Sequence, residues 1–414
     1  MTVRTLPPAH RSFVVLLLTS SLMGAGLDGV VSSSTYLFSR RNVDDDELTH
    51  LRMHESFRLR YRPPFQENFQ FNTSGVVYFD PLNPAVGGDP ALNLYAANAD
   101  FRRLFSLFDV TAGRFFVYDP SNSGRIDGLK VTGSLPLKMR VSLYGGGFVR
   151  AGGRVSNPVN DHLLGVHVSV PVRSRTTVAI ALSQKALERE AYKRGSGTIE
   201  VPNISERRLG LRVNTIFRSW TLFLKLVEDL QSRHVQETNV AIRTSRGPFQ
   251  RLSLEYFFRR PRIPHNSIFS VFDARPNQEI ALSTVFKPKS SWQLFSQIRT
   301  VLLADTSTFA LNIGVGMSTL SATYQFQEGY GGKFHRIGVD GRYRLFPRLL
   351  VRGTANWGKY RPLHASWENL GAVTVGLSYQ ATKLFAMRTD VHLLRNRNFT
   401  RDNRLLVSLN YVLP

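Results

Sequence analysis

Apolar and polar residues alternate along most of the chain, most clearly in "STFALNIGVGMSTLSATYQFQ" at residues 307 to 327. Successive side chains of a strand point to opposite sides, so every second residue shares a face. The apolar face of the first run comprises Phe309, Leu311, Ile313, Val315 and Met317. After a short turn the apolar face resumes with Leu320, Ala322, Tyr324 and Phe326. This stretch predicts a β-hairpin with one apolar and one polar side.

The same period of two recurs in other segments, with charged residues confined to the second face. Three clear examples are "SFRLRYR" at 56 to 62, "LKMRVSLYG" at 137 to 145 and "RRLGLRVN" at 207 to 214. Counting such runs from about residue 30 onward gives about twenty to twenty-two strands and no helix. The chain is therefore predicted to be all-β.

The predicted connections alternate in length along the chain. Short ones lie at 171 to 175, 244 to 248, 287 to 291 and 346 to 348. Long ones lie at 80 to 93, 146 to 160, 186 to 204, 259 to 278 and 359 to 368. Counted back from the C-terminus, the short connections fall at one end of the sheet and the long ones at the other, which indicates up-and-down topology.

The last stretch, "RDNRLLVSLNYVLP", is an apolar strand that continues to the end of the sequence, with Leu405, Val407, Leu409, Tyr411 and Leu413 on one face. Chain termini fray unless something holds them, so this strand must close a sheet or bury a face. We expect it to pair with the first strand, near Val31 to Phe38, because an open edge in lipid leaves backbone groups unpaired.

These features predict a transmembrane up-and-down antiparallel β-barrel of about 22 strands, with a range of 18 to 22. Soluble β-sandwiches also alternate, but this many strands would need two or more sandwiches, and no linker separates any. A propeller would show a repeat of about 40 to 50 residues, and none is evident. The barrel is favoured because it explains strand length, connection asymmetry and the apolar terminal strand together.

The N-terminus has the pattern of an export signal. "MTVRTLPPAHR" supplies Arg4 and Arg11, "SFVVLLLTSSLM" is a short apolar core, and Gly24 to Gly26 form a small-residue cleavage site. The apolar run is short for a membrane anchor and is interrupted by Ser, Thr and Gly. We therefore expect residues 1–26 to be a signal peptide and 27–414 to be the barrel.

The 414 residues carry a formal net charge of +23 with a sequence pI near 10.7, while 42% of them are hydrophobic and the mean hydropathy is −0.16. Removal of the predicted signal takes away two arginines and no acid, which leaves 51 − 30 = +21. Such charge favours an anionic partner. The charges are scattered and no nucleic-acid-binding motif is present, so nucleic acid is not expected.

The chain has no cysteine, which removes disulfides, thiol catalysis, Cys-ligated zinc and covalent haem attachment through its own residues. No metal site or cofactor is predicted. His162 and His167 fall on opposite faces of a strand, and Asp161 and His162 have no recognisable nucleophile partner. The sequence is therefore not interpreted as an enzyme.

The chain resembles a Gram-negative outer-membrane β-barrel of the porin type over nearly all of its predicted mature length. The terminal strand is similar to the assembly signal of such barrels, although Pro414 stands where an aromatic residue is usual. "TAGRFFVYDPSNSGRIDGLKV" looks like a porin hairpin in which Gly113 and Arg114 end one strand and Asp127 and Gly128 open the next. The resemblance implies an outer-membrane location and a channel.

If the apolar face meets lipid, the alternate face lines the lumen. Lys130 is then a lumen residue, and so are Arg58, Arg60, Arg102, Lys138, Arg140, Arg208, Arg212, Arg251, Arg299, Arg336, Arg342, Arg352 and Arg388. Fewer acids share that face: Asp100, Glu255, Glu279, Asp340 and Asp390. Basic rings in a pore favour anions, which predicts preference for small anionic solutes. Some pairs could instead only stiffen the wall, and the excess charge would be neutralised by mobile anions, by lipopolysaccharide phosphates near the rim or by an acidic partner.

The segment "FFRRPRIPHNSIFSVFDARPNQE" at 257 to 279 is too apolar for a freely solvated loop, and its prolines prevent simple strand continuation. One interpretation is a constriction loop folded inward, which would carry Arg259, Arg260, Arg262 and Arg275. The other is an outer cap or a partner contact.

The sequence therefore predicts a passive outer-membrane channel for small hydrophilic, preferentially anionic solutes, surrounded by lipid and lipopolysaccharide. A TonB-dependent transporter would need a plug of more than about a hundred residues, and only about 30 precede the first predicted strand. An alternative that the residues leave open is a sheath around a multihaem cytochrome supplied by another chain.

Overall fold

The computed structural model describes residues 26–42, 47–82, 91–104, 106–150, 160–187, 192–194, 197–199, 204–231, 233–261, 276–289, 291–363, 365–396 and 399–413. The predicted signal peptide therefore lies outside the described residues, except for Gly26. Within them, no helix is long and apolar enough to cross a membrane, a finding that does not bear on strands that cross one.

Twenty-four strands are present in the described residues, together with one 3-10 turn at Pro136–Lys138. In chain order the strands are β1 Leu27–Asn42, β2 Glu47–Tyr61, β3 Phe69–Phe79, β4 Ala91–Leu104, β5 Phe108–Tyr118, β6 Ser123–Ser134, β7 Arg140–Val149, β8 His162–Arg173, β9 Thr176–Leu187, β10 Tyr192–Arg194, β11 Gly197–Ile199, β12 Ile204–Phe217, β13 Trp220–Asp229, β14 His234–Arg246, β15 Phe249–Arg259, β16 Asn277–Lys289, β17 Trp292–Leu302, β18 Ser307–Gly316, β19 Leu320–Gly329, β20 Gly332–Phe346, β21 Leu349–Arg361, β22 Glu368–Gln380, β23 Phe385–Arg395 and β24 Phe399–Leu413.

In the described chain, 22 of these strands form one closed antiparallel sheet, and β10 and β11 form a separate small hairpin. Each barrel strand pairs with its neighbours in sequence, with β9 next to β12. The last strand closes the ring on the first, from Gly29 opposite Leu413 to Phe38 opposite Arg404 and beyond. The predicted closure near Val31 to Phe38 is confirmed, so the first and last strands leave no open edge between them.

The two faces of the wall separate as the alternation predicts. Ile313 is 42% exposed and lies among outward apolar side chains such as Phe309 and Leu320, which form a belt around the barrel. Residues directly opposite each other in an antiparallel pair share a face, so this belt runs from strand to strand through the register. Asn312 and its partners Gln297 and Gln325 form the other, inward face.

The connections are also asymmetric. Two-residue turns at 174–175, 218–219, 247–248 and 347–348 share one end of the barrel with both ends of the described chain. The strands that flank the long connections predicted at 80 to 93, 146 to 160, 186 to 204, 259 to 278 and 359 to 368 meet these connections at the opposite end of the barrel. We call these the short-turn end and the long-loop end.

Candidate functional site

One hairpin separates from β4 and bends into the barrel, while its β6 arm stays paired with β7 as far as Arg125 opposite Val149. Strand β5 pairs with β4 only as far as Arg114 opposite Ala97, whereas β5 and β6 stay paired to Tyr118 opposite Ser123. The divergence begins at Gly113, whose φ of +110° is a conformation that side chains disfavour. We call residues 115–126 the inner hairpin. The sequence-based boundaries at Arg114 and Asp127 were wrong, because pairing continues through four more residues of each strand.

The departure of β5 leaves residues 91–96 of β4 without a partner strand on that side. Arg114 Nη1 donates to the Leu94 carbonyl at 3.2 Å, and Arg125 Nη1 reaches the same oxygen at 3.4 Å. Arg114 is held by two 2.7 Å hydrogen bonds to Asp127. Because an unpaired backbone group inside a membrane costs several kcal/mol, we infer that these guanidinium groups stabilise the gap in the wall.

The inner hairpin packs against the lumen side of β7 and β8. Phe115, Val117 and Ile126 form a buried apolar cluster with Tyr144 and Leu163, and both Ile126 and Leu163 have 0% exposure. The cluster therefore gives this part of the barrel a hydrophobic core inside the lumen.

The opposite face of the inner hairpin is open. Phe116 and Tyr118 are 59% and 63% exposed although they continue the outward-facing row of β5. Since the other face of the hairpin lies on the wall, this face points toward the centre of the lumen. Apolar residues therefore occupy both faces of one strand.

The tip of the hairpin, residues 119–122, is fixed by an aspartate. Asp119 Oδ1 accepts hydrogen bonds from the backbone amides of Ser121 and Asn122 at 2.7 and 2.9 Å, and its other oxygen accepts one from the Tyr144 hydroxyl. Ser121 Oγ then bonds to Ser183 Oγ of β9 at 2.9 Å. The tip is thus attached to the wall at two points.

Strand β12 leaves space for the tip because it has a glycine, Gly210, at the point of contact. A Cβ added at Gly210 would lie 2.3 Å from backbone atoms of Pro120 and Ser121, a distance that no real contact tolerates. Two residues further on, the Arg212 guanidinium lies 4.9 Å from the centre of the Tyr118 ring. The wall is therefore shaped to receive this hairpin.

A polar cavity of about 330 Å³ lies between the tip and strands β9, β12, β13, β14 and β15. Its basic lining residues are Lys185, Arg208, Lys225, Arg259 and Arg260. Its acids are Asp119, Glu206 and Glu237, so five basic groups face three acidic ones. The volume falls at the small end of the range of ligand pockets.

Part of this charge is compensated inside the cavity. Lys225 Nζ lies 2.7 Å from Glu237, and Arg208 Nη2 lies 2.7 Å from Glu206. Among the described residues, Arg259 and Arg260 make no ion pair. They adjoin the long connection at 260–276, at the long-loop end of the cavity. These two arginines are therefore available to bind an anion in the cavity.

The register places most of the predicted lumen residues on the inward face of the wall. These are Arg58, Arg60, Arg102, Lys130, Arg140, Arg208, Arg212, Arg251, Arg299, Arg336, Arg342, Arg352 and Arg388. Lys138 differs: it lies in the 3-10 turn Pro136–Lys138 with a φ of +59°, because strand β7 begins only at Arg140.

Many of these arginines gather near the short-turn end of the lumen: Arg58, Arg60, Arg102, Arg140, Arg251, Arg342, Arg352 and Arg388. Some are paired with acids. Arg352 and Arg388 share the buried Asp390, at 2.5 and 2.6 Å, and Arg60 lies 3.8 Å from Asp28. Among the described residues, the others in this group make no ion pair. We call this group the basic mouth.

Four arginines lie elsewhere on the inward face. Arg299 is 3.8 Å from Glu279, and Arg336 donates to Asn356 Oδ1 at 3.0 and 2.6 Å. Arg208 and Arg212 lie beside the inner hairpin, as described above. The arginines predicted for the constriction loop divide: Arg259 and Arg260 line the cavity, whereas Arg262 and Arg275 lie outside the described residues.

Two features of this site were not predicted from the sequence: two lysines of the cavity and the inward path of the hairpin. Lys185 and Lys225 line the cavity, and the alternation of Leu224, Lys225 and Leu226 already pointed Lys225 inward. The inward path of the hairpin was also not predicted.

Among the described residues, no group of three or more His, Asp or Glu side chains is placed to hold a metal ion.

Comparisons with known proteins find the fold but no relative by sequence. No protein-family profile and no curated protein matches the chain. The translocation pore of the P pilus usher PapC is similar with a TM-score of 0.54 and 10% identity, over 93% of this chain and 99% of that one. Pseudomonas aeruginosa OccK2 (OpdF) gives 0.44 and 11%, over 94% and 98%. Acinetobacter baumannii OccAB3 gives 0.44 and 9%, over 93% and 98%.

At these identities the likeness is one of fold alone. The closed ring, the apolar outer belt and the polar lumen are the features that define barrels of outer membranes. The chain therefore has the fold of an outer-membrane β-barrel. In such barrels the short turns face the periplasm and the long loops face the outside, which orients the basic mouth toward the periplasm.

Proposed function

We propose that this barrel is a passive channel for small hydrophilic solutes and that it prefers anions. Its predicted organisation is an export signal at 1–26 followed by the barrel at 27–414, with no cofactor and no catalysis. The observation that carries the proposal is the convergence of five basic side chains, from β9, β12, β13 and the end of β15, on one cavity beside the inner hairpin.

A barrel of this size needs an element that narrows it. With strands about 4.8 Å apart and tilted by about 40°, 22 strands give a backbone diameter of about 44 Å. Such a lumen would pass large molecules without discrimination. The inner hairpin supports the proposal because it occupies lumen space and creates a wall for the cavity.

The charge distribution supports an anionic solute. A permeating solute would meet positive groups both at the cavity and at the basic mouth. Arginine and lysine in a narrow, low-dielectric passage attract anions and repel cations. The cavity also offers hydroxyl and amide groups from Ser121, Ser123 and Asn122, which suits a solute that combines a carboxylate or phosphate with hydroxyls.

No described feature favours the alternative of a sheath around a multihaem cytochrome. A sheath needs a lumen clear enough to admit a folded protein. The inner hairpin is fixed across the inner surface of β7 to β12, and its exposed aromatic residues extend into that space. These contacts favour a channel for small solutes.

The purified protein in a planar bilayer under a salt gradient tests the proposal. We expect a reversal potential of anion-selective sign without any partner protein. Conversion of Arg58, Arg60, Arg140 and Arg212 to Glu should move that potential toward cations. Cation selectivity of the unmodified channel would overturn the proposal, and so would conductance that requires an added partner.

The cavity is tested separately by the double variant Arg259→Gln and Arg260→Gln. It should weaken block of the chloride current by a hydroxy acid such as gluconate. The matched control is Arg344→Gln, near the short-turn end of β20 and far from the cavity. Equal block in both variants would show that the cavity does not select solutes.

A further inference from the structure

The outer surface of the barrel carries a groove on the side formed by β20 to β23. It has a volume of about 520 Å³, and its outward lining includes Ile337, Trp357, Val373 and Leu393. The lining is strongly apolar, and all these side chains belong to the belt that meets lipid. The groove is separate from the lumen cavity and from the inner hairpin.

Small residues produce the groove. Gly371 lies opposite Trp357 in the register, and a Cβ added there would meet no atom within 4 Å. Ala355 continues the floor, while Trp357 and Leu393 project on either side. In lipid, an apolar depression of this kind accepts hydrocarbon chains.

Basic residues lie at the upper end of the groove, toward the long-loop end. Arg395 lies opposite Gly371 and lines the groove itself. Lys359 and Arg361 belong to the outward row of β21, next to Trp357 and opposite His335 and Lys333 of β20. These side chains are at the level of the outer-leaflet headgroups, because the long loops of such barrels face outward.

Aromatic rings hold two of these cations in place. The Arg361 guanidinium lies 5.2 Å from the Trp367 ring, and Lys359 Nζ lies 5.7 Å from the Trp357 ring. Lys333 differs because it is paired with Glu328 at 3.2 Å. Within the described residues, Lys359, Arg361 and Arg395 make no ion pair, so this outward surface has uncompensated positive charge.

We propose that this groove binds a phosphorylated glycolipid of the outer leaflet, with the chemistry of lipopolysaccharide. Its acyl chains lie along the apolar groove over Gly371, and its phosphates meet Lys359, Arg361 and Arg395. Both the acyl chains and the phosphates of the ligand are needed. Free phosphate would not fill the apolar groove, and a neutral lipid would not neutralise the cations. The inference is independent of which solute passes through the lumen.

Native mass spectrometry of the detergent-solubilised barrel with added diphosphorylated hexa-acyl lipid A tests this site. The unmodified protein should retain one lipid molecule that survives detergent exchange. The triple variant Lys359→Gln, Arg361→Gln and Arg395→Gln should bind at least tenfold more weakly. Gly371→Leu should also bind more weakly, because the new side chain occupies the groove at a position where its Cβ meets no atom within 4 Å.

Two controls keep the result interpretable. Gly353→Leu adds the same side chain to the outward face of β21 outside the groove, where its Cβ meets only one atom at 3.9 Å, and should bind as the unmodified protein does. Resistance to SDS at room temperature confirms that each variant is folded. Unchanged lipid A binding in both the triple variant and Gly371→Leu would overturn the proposal. Equal retention of dephosphorylated lipid A, or full competition by inorganic phosphate, would overturn it as well.

Discussion

Strands β5 to β12 and strands β18 to β23 follow the same alternating pattern but use their inward faces differently. In the first region the inner hairpin covers the wall, so inward positions such as Leu163 and Tyr144 are buried among apolar groups. In the second region the inward face is polar, and arginines such as Arg336 and Arg352 bond to Asn356 and Asp390. A period of two therefore fixes which way a side chain points but not what it meets there.

The largest expected difference between the two regions is in how much stability is lost when an inward residue is replaced by alanine. Ile126→Ala or Leu163→Ala should cost about 2 to 5 kcal/mol, because each leaves a cavity in a packed core. Asn312→Ala, on the inward face of the open region, should cost little, because its Oδ1 has no hydrogen-bond partner. Urea-induced unfolding of the three variants from lipid vesicles measures the difference. Equal costs would mean that the inner hairpin does not pack.

The outward and inward faces of the open region give the next comparison. Ile313→Arg should cost about 2 to 4 kcal/mol, since it places a charge near the bilayer midplane, whereas Asn312→Arg faces the lumen and should be mild. Assembly into membranes, followed by heat modifiability on a gel, reports both. Similar tolerance at the two positions would contradict the assigned faces.

A smaller effect is expected at the attachment of the tip. Asp119→Ala removes the acceptor for Ser121, Asn122 and Tyr144 and leaves buried donors unsatisfied, at a cost of about 1 to 3 kcal/mol. The freed tip should also give larger and noisier single-channel currents. Asp340→Ala, on the inward face of the open region, is the control and should leave the current steady.

The architecture could be predicted from the sequence because a membrane imposes simple rules on the backbone. Closure between Val31 and Tyr411, the sides of the short and long connections, and the facing of Ile313 all follow from alternation and from the need to pair every edge. Glu55 is an instructive exception. It lies on the outward face and accepts a hydrogen bond from Ser33 Oγ at 2.7 Å, so a local partner stabilises a residue that alternation alone would exclude.

The inward path of the hairpin could not be predicted by the same rules, because it depends on contacts between strands distant in sequence. Gly210 receives Pro120, and Ser183 binds Ser121. One local signal was present: "FFVY" at 115 to 118 is apolar on both faces, which departs from the alternation of the other barrel strands. The cavity was missed for the same reason, since Lys185, Lys225 and Arg259 converge only in the folded barrel.

The most direct test of the folded hairpin uses the absence of cysteine from the chain. In the double variant Ser121→Cys and Ser183→Cys, the two sulfur atoms would replace hydroxyl oxygens that are 2.9 Å apart, close enough to form a disulfide. The control pair is Ser121→Cys with Asn312→Cys, which lies on β18, seven strands away from β9 around the barrel. Mild oxidation in membranes should cross-link the first pair rapidly and leave the control pair reduced, as read from gel mobility with and without reductant. Failure of the first pair to cross-link, or equal cross-linking of both, would contradict the inward position of the hairpin.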